Sequence, residues 1–175
     1  MKYLVVSDIH GDASSVEFIK NIYEKGNFEC ILNAGDILYH GPRNDLPKDY
    51  NPKLCIKLLN ELKNNIIAVW GNCEAEVDQM VLDFKINKDI DLNINNMKCH
   101  MEHGHHLDLY EGKADIIISG HTHIPVLKRE NNIIYLNPGS ISIPKGGFER
   151  SYAIIDDKKI TIYDINNKII YELEI

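Results

Sequence analysis

Basic residues are outnumbered in this 175-residue chain: 19 Lys and Arg stand against 26 Asp and Glu, for a formal net charge of −7. Duplex nucleic acid is bound largely by Lys and Arg that neutralise phosphates, so a duplex-binding surface is not expected. Long apolar runs are missing as well. No stretch approaches the roughly 20 residues of a membrane-spanning helix. At the start, Lys2 precedes only the short run Tyr3-Leu4-Val5-Val6 before Ser7-Asp8 ends it. That run is too brief for the apolar part of a secretory leader, which points to a cytoplasmic protein. Cys30, Cys55, Cys73 and Cys99 form no Cys-x-x-Cys pair, so neither a zinc ribbon nor a disulfide framework is suggested. No G-x-G-x-x-G or G-x-x-x-x-G-K loop follows the first apolar run, and no nucleotide cofactor is implied. Repeats, low-complexity tracts and linkers are also lacking.

What is present reads as an ordinary globular chain, 44% hydrophobic and 26% charged, of a length that suits one domain over residues 1–175. Strand 2 to 7 leads to Asp12, a suitable cap for a helix from 13 to 25, whose Val16, Ile19, Ile22 and Tyr23 recur at helical spacing. Strand 30 to 33 is followed by a loop rich in Gly, Pro, Asn and Asp over 39 to 51. Pro52 then opens a helix over 52 to 63 that leads to a strand at 66 to 69. This β-α-β-α-β order favours parallel strands covered by helices. In the second half, Asn95-Asn96, Asn131-Asn132, Asp156-Asp157 and Asn166-Asn167 interrupt strand-like runs and predict hairpins. Only a short helix fits between His106 and Asp115. The fold class expected is α/β, two packed sheets with helices outside.

The chemistry-bearing residues fall where strands end. Asp8-Ile9-His10 follows the first strand, Gly35-Asp36 the second and Gly71-Asn72 the third; His103-Gly104-His105 follows a fourth candidate strand and Gly120-His121-Thr122-His123 follows Ile116-Ile117-Ile118. Each presents an oxygen or nitrogen donor at what would be one edge of a sheet, as a metal site requires. Taken alone, any one of these histidines is more ordinary as a hydrogen-bonded structural residue, and any one aspartate as a turn or cap. The ordered set changes that balance.

Asp8-x-His10, Gly35-Asp36, Gly71-Asn72, His103 and Gly120-His121-Thr122-His123 together resemble the calcineurin-like metallophosphoesterases. The stretches Gly35 to Asn44, Gly71-Asn72-Cys73-Glu74, Glu76 to Met80 and Asn137 to Gly147 narrow this likeness to the bacterial YfcE-type phosphodiesterases. It covers nearly the whole chain and is weakest over 107 to 114 and 85 to 98. The resemblance implies a four-layer α/β/β/α sandwich with two mixed sheets and two divalent metal ions per chain. By motif position, Asp8, His10, Asp36 and His123 would hold one ion, and Asp36, Asn72, His103 and His121 the other, with Asp36 bridging. Oxygen and nitrogen donors without thiolate suit manganese first, with iron, cobalt, nickel or zinc also compatible. The implied reaction is hydrolysis of a small phosphodiester by hydroxide generated between two ions ~3.5 to 4 Å apart. A phosphomonoesterase or nuclease of the same superfamily is the alternative, as is a non-catalytic scaffold like the retromer subunit of this fold. The presence of all four histidines favours an enzyme. Homo-oligomerisation is left open.

Where many members of the superfamily carry a histidine after Gly-Asn, expected to assist the leaving group, this chain has Cys73. A thiol is a weak donor beside imidazolium, so its catalytic role is in question, and the bland reading is a small buried residue beside the ions. His40 and Arg43 are candidates to contact a substrate phosphate, Arg43 because its planar fork matches oxygen anions; the alternative for Arg43 is a local pair with Asp45. His105 faces either the site or solvent. His100 and His106 read as structural, and Ser140 as a turn cap.

Overall fold

The computed structural model describes residues 1–106, 110 and 112–175. The first half alternates as expected: β1 (Tyr3–Val6), α1 (Ala13–Gly26), β2 (Cys30–Asn33), α2 (Pro52–Glu61), β3 (Ile66–Val69), then a short α3 (Glu76–Val81) and a two-residue β4 (Ile86–Asn87). Capping sets the helix starts. The Asp12 side chain accepts from the Ser15 N–H ahead of α1, and Asn51 from Leu54 N–H ahead of α2, where Pro52 occupies the first turn. Asn27, left-handed at φ 53, ends α1.

The second half supplies β5 (Ile90–Ile94), β6 (Met97–Met101), β7 (Ile116–Ile118), β8 (Val126–Glu130), β9 (Ile133–Asn137), β10 (Ser151–Ile155), β11 (Lys159–Asp164) and β12 (Ile169–Glu174). Two mixed sheets result, a seven-stranded one in the order β12-β11-β10-β1-β2-β3-β4 and a five-stranded one in the order β5-β6-β7-β9-β8. Strands β1 to β4 run parallel, and β10 to β12 add on antiparallel beside β1. All four polar pairs join antiparallel neighbours. Asn95-Asn96 and Asn131-Asn132 do so with positive φ at both residues (49° and 68°; 49° and 65°), the signature of the tight turn that matches strand twist. At the other two, Asp156 Oδ1 accepts from the N–H groups of Lys158 and Lys159, and Asp164 Oδ1 from those of Asn166 and Lys168.

Strand alternation divides the core in two. Leu4, Val6 and Ile31 point to the layer formed with α1 and α2, where they meet Val16, Ile19, Cys55 and Leu59. Tyr3, Val5 and Leu32 point the other way, against Met101, Ile116, Ile118 and Leu136 of the five-stranded sheet. Both faces of β1 and β2 are therefore buried, and their sequences are apolar throughout except Asn33. The short helix expected between His106 and Asp115 falls largely outside the described residues. Among the described residues no helix is long and apolar enough to cross a membrane.

The hairpin turns provide a test. Asn131→Val and Asn132→Val each force a β-branched residue into a left-handed position, and each is expected to cost about 1 to 2 kcal/mol in urea unfolding, whereas Asn132→Gly should leave the midpoint nearly unchanged.

Candidate metal centre

Backbone conformation singles out the strand ends before any side chain is considered. Among the described residues, those other than glycine with positive φ are either asparagines in turns or Asp8 (56°), His10 (51°), Asp36 (57°), His121 (68°) and His123 (60°). Left-handed conformations are costly for side chains of this kind and persist where surrounding structure imposes them. Here hydrogen bonds do so: Asp8 N–H donates to Gly35 O and His10 N–H to Asp36 O, tying the turns after β1 and β2, Gly120 N–H donates to His103 O, tying those after β6 and β7, and His121 N–H on Asp8 Oδ2 at 3.0 Å joins the two pairs into one rim.

The side chains converge inside that rim. Asp8 Oδ1 lies 3.2 Å from His123 Nε2, 3.5 Å from His10 Nε2 and 3.9 Å from His103 Nε2. Asp36 Oδ2 lies 3.3 Å from His103 Nε2 and 3.6 Å from His10 Nε2. Donor atoms of Asp8, His10 and His123, and again of Asp8, Asp36 and His103, all fall within 4.8 Å of one another. On the more open side, His121 Nδ1 and Asn72 Oδ1 approach to 2.6 Å. All seven residues singled out by the strand-end motifs are thus drawn to one rim.

The remaining ring and carboxylate atoms are tied down. His10, His103 and His123 donate Nδ1–H to the carbonyls of Tyr39 (2.7 Å), Ala34 (2.6 Å) and Ile143 (2.6 Å). A carbonyl only accepts, so each Nε2 lone pair is left facing the centre, the arrangement by which proteins prepare metal-binding imidazoles. Asp8 Oδ2 accepts from Ser7 Oγ and His121 N–H, and Asp36 Oδ1 from Cys73 N–H. Among the buried side-chain atoms of the described residues that lack a hydrogen-bond partner, Asp8 Oδ1 and His103 Nε2 are the two that face the centre; His40 Nδ1, Asn95 Oδ1, Glu102 Oε1 and His105 Nδ1 are the others. In addition, His10 Nε2 and His123 Nε2 face each other at 3.2 Å, where two lone pairs repel unless a cation or proton lies between them. Orphaned donors, opposed lone pairs and buried like-charged aspartates all fit divalent cations.

Electrostatics agree. Burial works against charge on His103, but the Asp36 and Asp8 carboxylates outweigh it and push the imidazole up to about 9. Burial likewise opposes ionisation of Asp8, yet His10 and His123 hold its carboxyl below the usual range. The pocket concentrates negative charge and attracts cations.

Comparison with known proteins gives this geometry a family. Residues 1–159 match the model of the calcineurin-like phosphoesterase superfamily domain. The chain belongs to that superfamily. The Escherichia coli K12 phosphodiesterase YfcE is 37% identical over 173 residues, 96% of this chain and 94% of its own. The structure of E. coli YfcE, described as a phosphoesterase, superposes with a TM-score of 0.95 at 35% identity, covering 99% of this chain and 98% of that one. Phosphodiesterase MJ0936 of Methanocaldococcus jannaschii is 27% identical over 79% of this chain and 83% of its own. This is a metallophosphoesterase fold, and its family binds divalent metals.

Other candidate residues of this metallophosphoesterase separate by position. Cys73 lines a pocket of about 40 Å³ beside Asp36, Asn72, His121 and His123. Burial and the neighbouring Asp36 push its thiol up to about 12, so it is uncharged at neutral pH. Arg43 lines the same pocket. His40 is absent from that wall: its ring packs edge-on against Tyr39 and Tyr50. His100 Nδ1–H donates to Asp91 Oδ1 at 2.8 Å, and the ring stacks on Tyr110. The His105 ring lies 5.5 Å from that of His103 and 6.0 Å from that of His121. Ser140 is buried and donates to Asp8 O at 2.8 Å, which makes it a support for the first turn.

Glu74 was given no role by sequence reasoning, although it sits in the Gly71-Asn72-Cys73-Glu74 motif. Its carboxylate accepts from the backbone N–H groups of Asp36 (3.0 Å), Ile37 and Gly71, clamping the turn after β2 to the turn after β3. A Cβ on Gly71 would overlap the Asp36 carboxylate, so the two turns approach as closely as glycine permits. Burial and Asp36 raise the Glu74 carboxyl to about 7, against the three N–H groups that favour its charged form. Asn137 similarly donates to Gly120 O at 2.6 Å and Thr122 Oγ1 at 3.1 Å, bracing the histidine turn. Glu74→Ala strands three buried N–H groups. It is expected to cost about 2 to 4 kcal/mol of stability and to weaken divalent-cation binding about 10- to 100-fold, read by urea unfolding and by metal-competition titration.

Proposed function

We propose that the chain is a metal-dependent phosphodiesterase acting on a small phosphodiester, with Asp8, His10, Asp36 and His123 holding one divalent ion and Asp36, Asn72, His103 and His121 a second. The observation that carries this reading is Asp36 Oδ2, which faces the Nε2 atoms of both His10 and His103, the imidazoles of the two sets. A carboxylate oxygen can bridge two cations, whereas a neutral imidazole ligates one. When bound, such ions supply Lewis acidity toward phosphoryl oxygens and an activated water. Manganese is the first choice of metal. The relatives YfcE and MJ0936, both named phosphodiesterases, support the diester as substrate class.

The chain's own residues shape the rest. Cys73 N–H holds Asp36 Oδ1 at 2.8 Å and so orients the other carboxylate oxygen. The Cys73 thiol, accepting from Asn72 Nδ2 at 3.3 Å, stays neutral and is too weak a donor to deliver a proton efficiently to a departing alkoxide. Leaving groups that depart as stable anions are therefore favoured.

Metal-stripped protein supplied with manganese, cobalt, nickel or zinc should hydrolyse bis(p-nitrophenyl) phosphate faster than p-nitrophenyl phosphate. Turnover of neither ester with any of these ions would overturn the enzyme reading, and faster monoester turnover would replace the diesterase reading by a monoesterase. Asp36→Asn and His103→Ala should lose both cation binding and at least about 10³-fold in kcat, as expected for loss of the largest electrostatic contribution. Aryl diesters should be cleaved faster than alkyl diesters, and Cys73→His should narrow that gap. If Cys73→Ala abolished activity with both ions still bound, the thiol would need a direct catalytic role.

A further inference from the structure

Among the described residues, two cations overlook the metal pocket without a carboxylate partner. Arg43 and Lys145 both line its wall, from separate loops on the two sides of the chain. Among the described residues neither takes part in an ion pair within 4.0 Å, Arg43 not even with nearby Asp45. Both loops are anchored to the centre. Lys145 N–H donates to His123 O at 3.2 Å, while Ile143 O accepts from His123 Nδ1 at 2.6 Å, so the lysine is carried by a segment bonded twice to one proposed ligand. The Arg43 loop turns at Gly41, whose φ of +79° and close approach to Cys73 Sγ leave no room for a side chain. Asn44 closes that turn through His40 O at 2.8 Å.

Charge balance shows what these cations are for. On the proposed reading, two divalent ions are matched by Asp8, Asp36, the single charge of a diester and one hydroxide, and Glu74, held on the amides of Asp36 and Gly71, adds at most one further negative charge against the two of Arg43 and Lys145. Arg43 and Lys145 are then surplus positive charge at the mouth of a strongly acidic protein, where unpaired cations attract anions. A simple diester has nothing more to offer them. We infer that Arg43 and Lys145 form a specificity site for a second anionic group, a phosphate or carboxylate borne on one arm of the phosphodiester. Arg43 suits it as a two-pronged donor and Lys145 as a mobile point charge. This rests on the diesterase reading for its chemistry, but the recognition of the second anion can be measured without turnover.

The test pairs ligands that differ by one phosphate. For catalysis these are thymidine 5′-(p-nitrophenyl phosphate) with and without a 3′-phosphate. For binding they are thymidine 3′,5′-bisphosphate and thymidine 5′-phosphate, titrated calorimetrically onto manganese-loaded protein. The additional phosphate should improve kcat/KM and affinity about tenfold at low salt, with the advantage shrinking as salt rises. The gain should lie mainly in KM. In Lys145→Met and Arg43→Met the ratio between paired ligands should fall toward one, while Lys57→Met, an equal change in net charge on the exposed face of α2, should preserve it. A ratio near one in the unaltered protein, or a ratio retained in the Arg43→Met/Lys145→Met double variant, would overturn the inference. Absence of turnover with a preserved binding ratio would overturn the diesterase reading alone.

Discussion

Two buried carboxylates a few ångströms apart are the constraint around which the rest of this structure is arranged. Asp8 and Asp36 are both almost fully removed from solvent, and each carries one oxygen held by hydrogen bonds and one turned inward. Like charges so placed repel, and the interior offers little dielectric relief. Four imidazoles on three separate turns answer that charge only in part. The fold by itself thus leaves buried charge unanswered, which is the condition under which metal binding and folding share the same free energy.

The sheets exist, from this standpoint, to bring distant turns into register. Parallel pairing of β1 with β2 and of β2 with β3 places the ends of three strands side by side, and β6 and β7 do the same in the second sheet. The shared layer of apolar side chains between the sheets fixes one set of turns against the other. Small polar residues then complete the alignment: Ser140 on the Asp8 carbonyl, Asn137 on the Gly120 carbonyl, Glu74 on the amides of Asp36 and Gly71. None of these need touch a substrate to govern how well one is processed.

Much of this could be read in the residue order, for identifiable reasons. The helices over Ala13–Gly26 and Pro52–Glu61 carry their caps and apolar spacing locally, and the paired asparagines announce turns because few residues accept two successive left-handed positions. The strand-end motifs are local too, so the seven donors were visible before their convergence was. What escaped depends on distant partners. Strand β4 is two residues long and is held by Trp70 N–H on Asn87 O and by the Gln79 side chain at Ile86 N–H and Phe84 O. Glu74 acts on amides belonging to a turn 37 and 38 residues away. His40 shares the loop of Arg43, but contacts with Tyr39 and Tyr50 divert its ring from the pocket wall. Lys145 lies in the Asn137 to Gly147 stretch with no role attached to it there, and only the bonding of its loop to His123 shows where it stands.

The left-handed strand ends have an evolutionary corollary. At positions 8, 10, 36, 121 and 123 the chain keeps Asp or His in a conformation that asparagine or glycine would adopt at lower cost. Selection for stability alone would erode those choices, since each exchange would relax the backbone and, at 8 or 36, remove a buried charge as well. Their joint presence in this chain runs against that gradient. A lineage released from catalysis would have a downhill path away from this rim, shedding its ligands while the sheets beneath grew firmer.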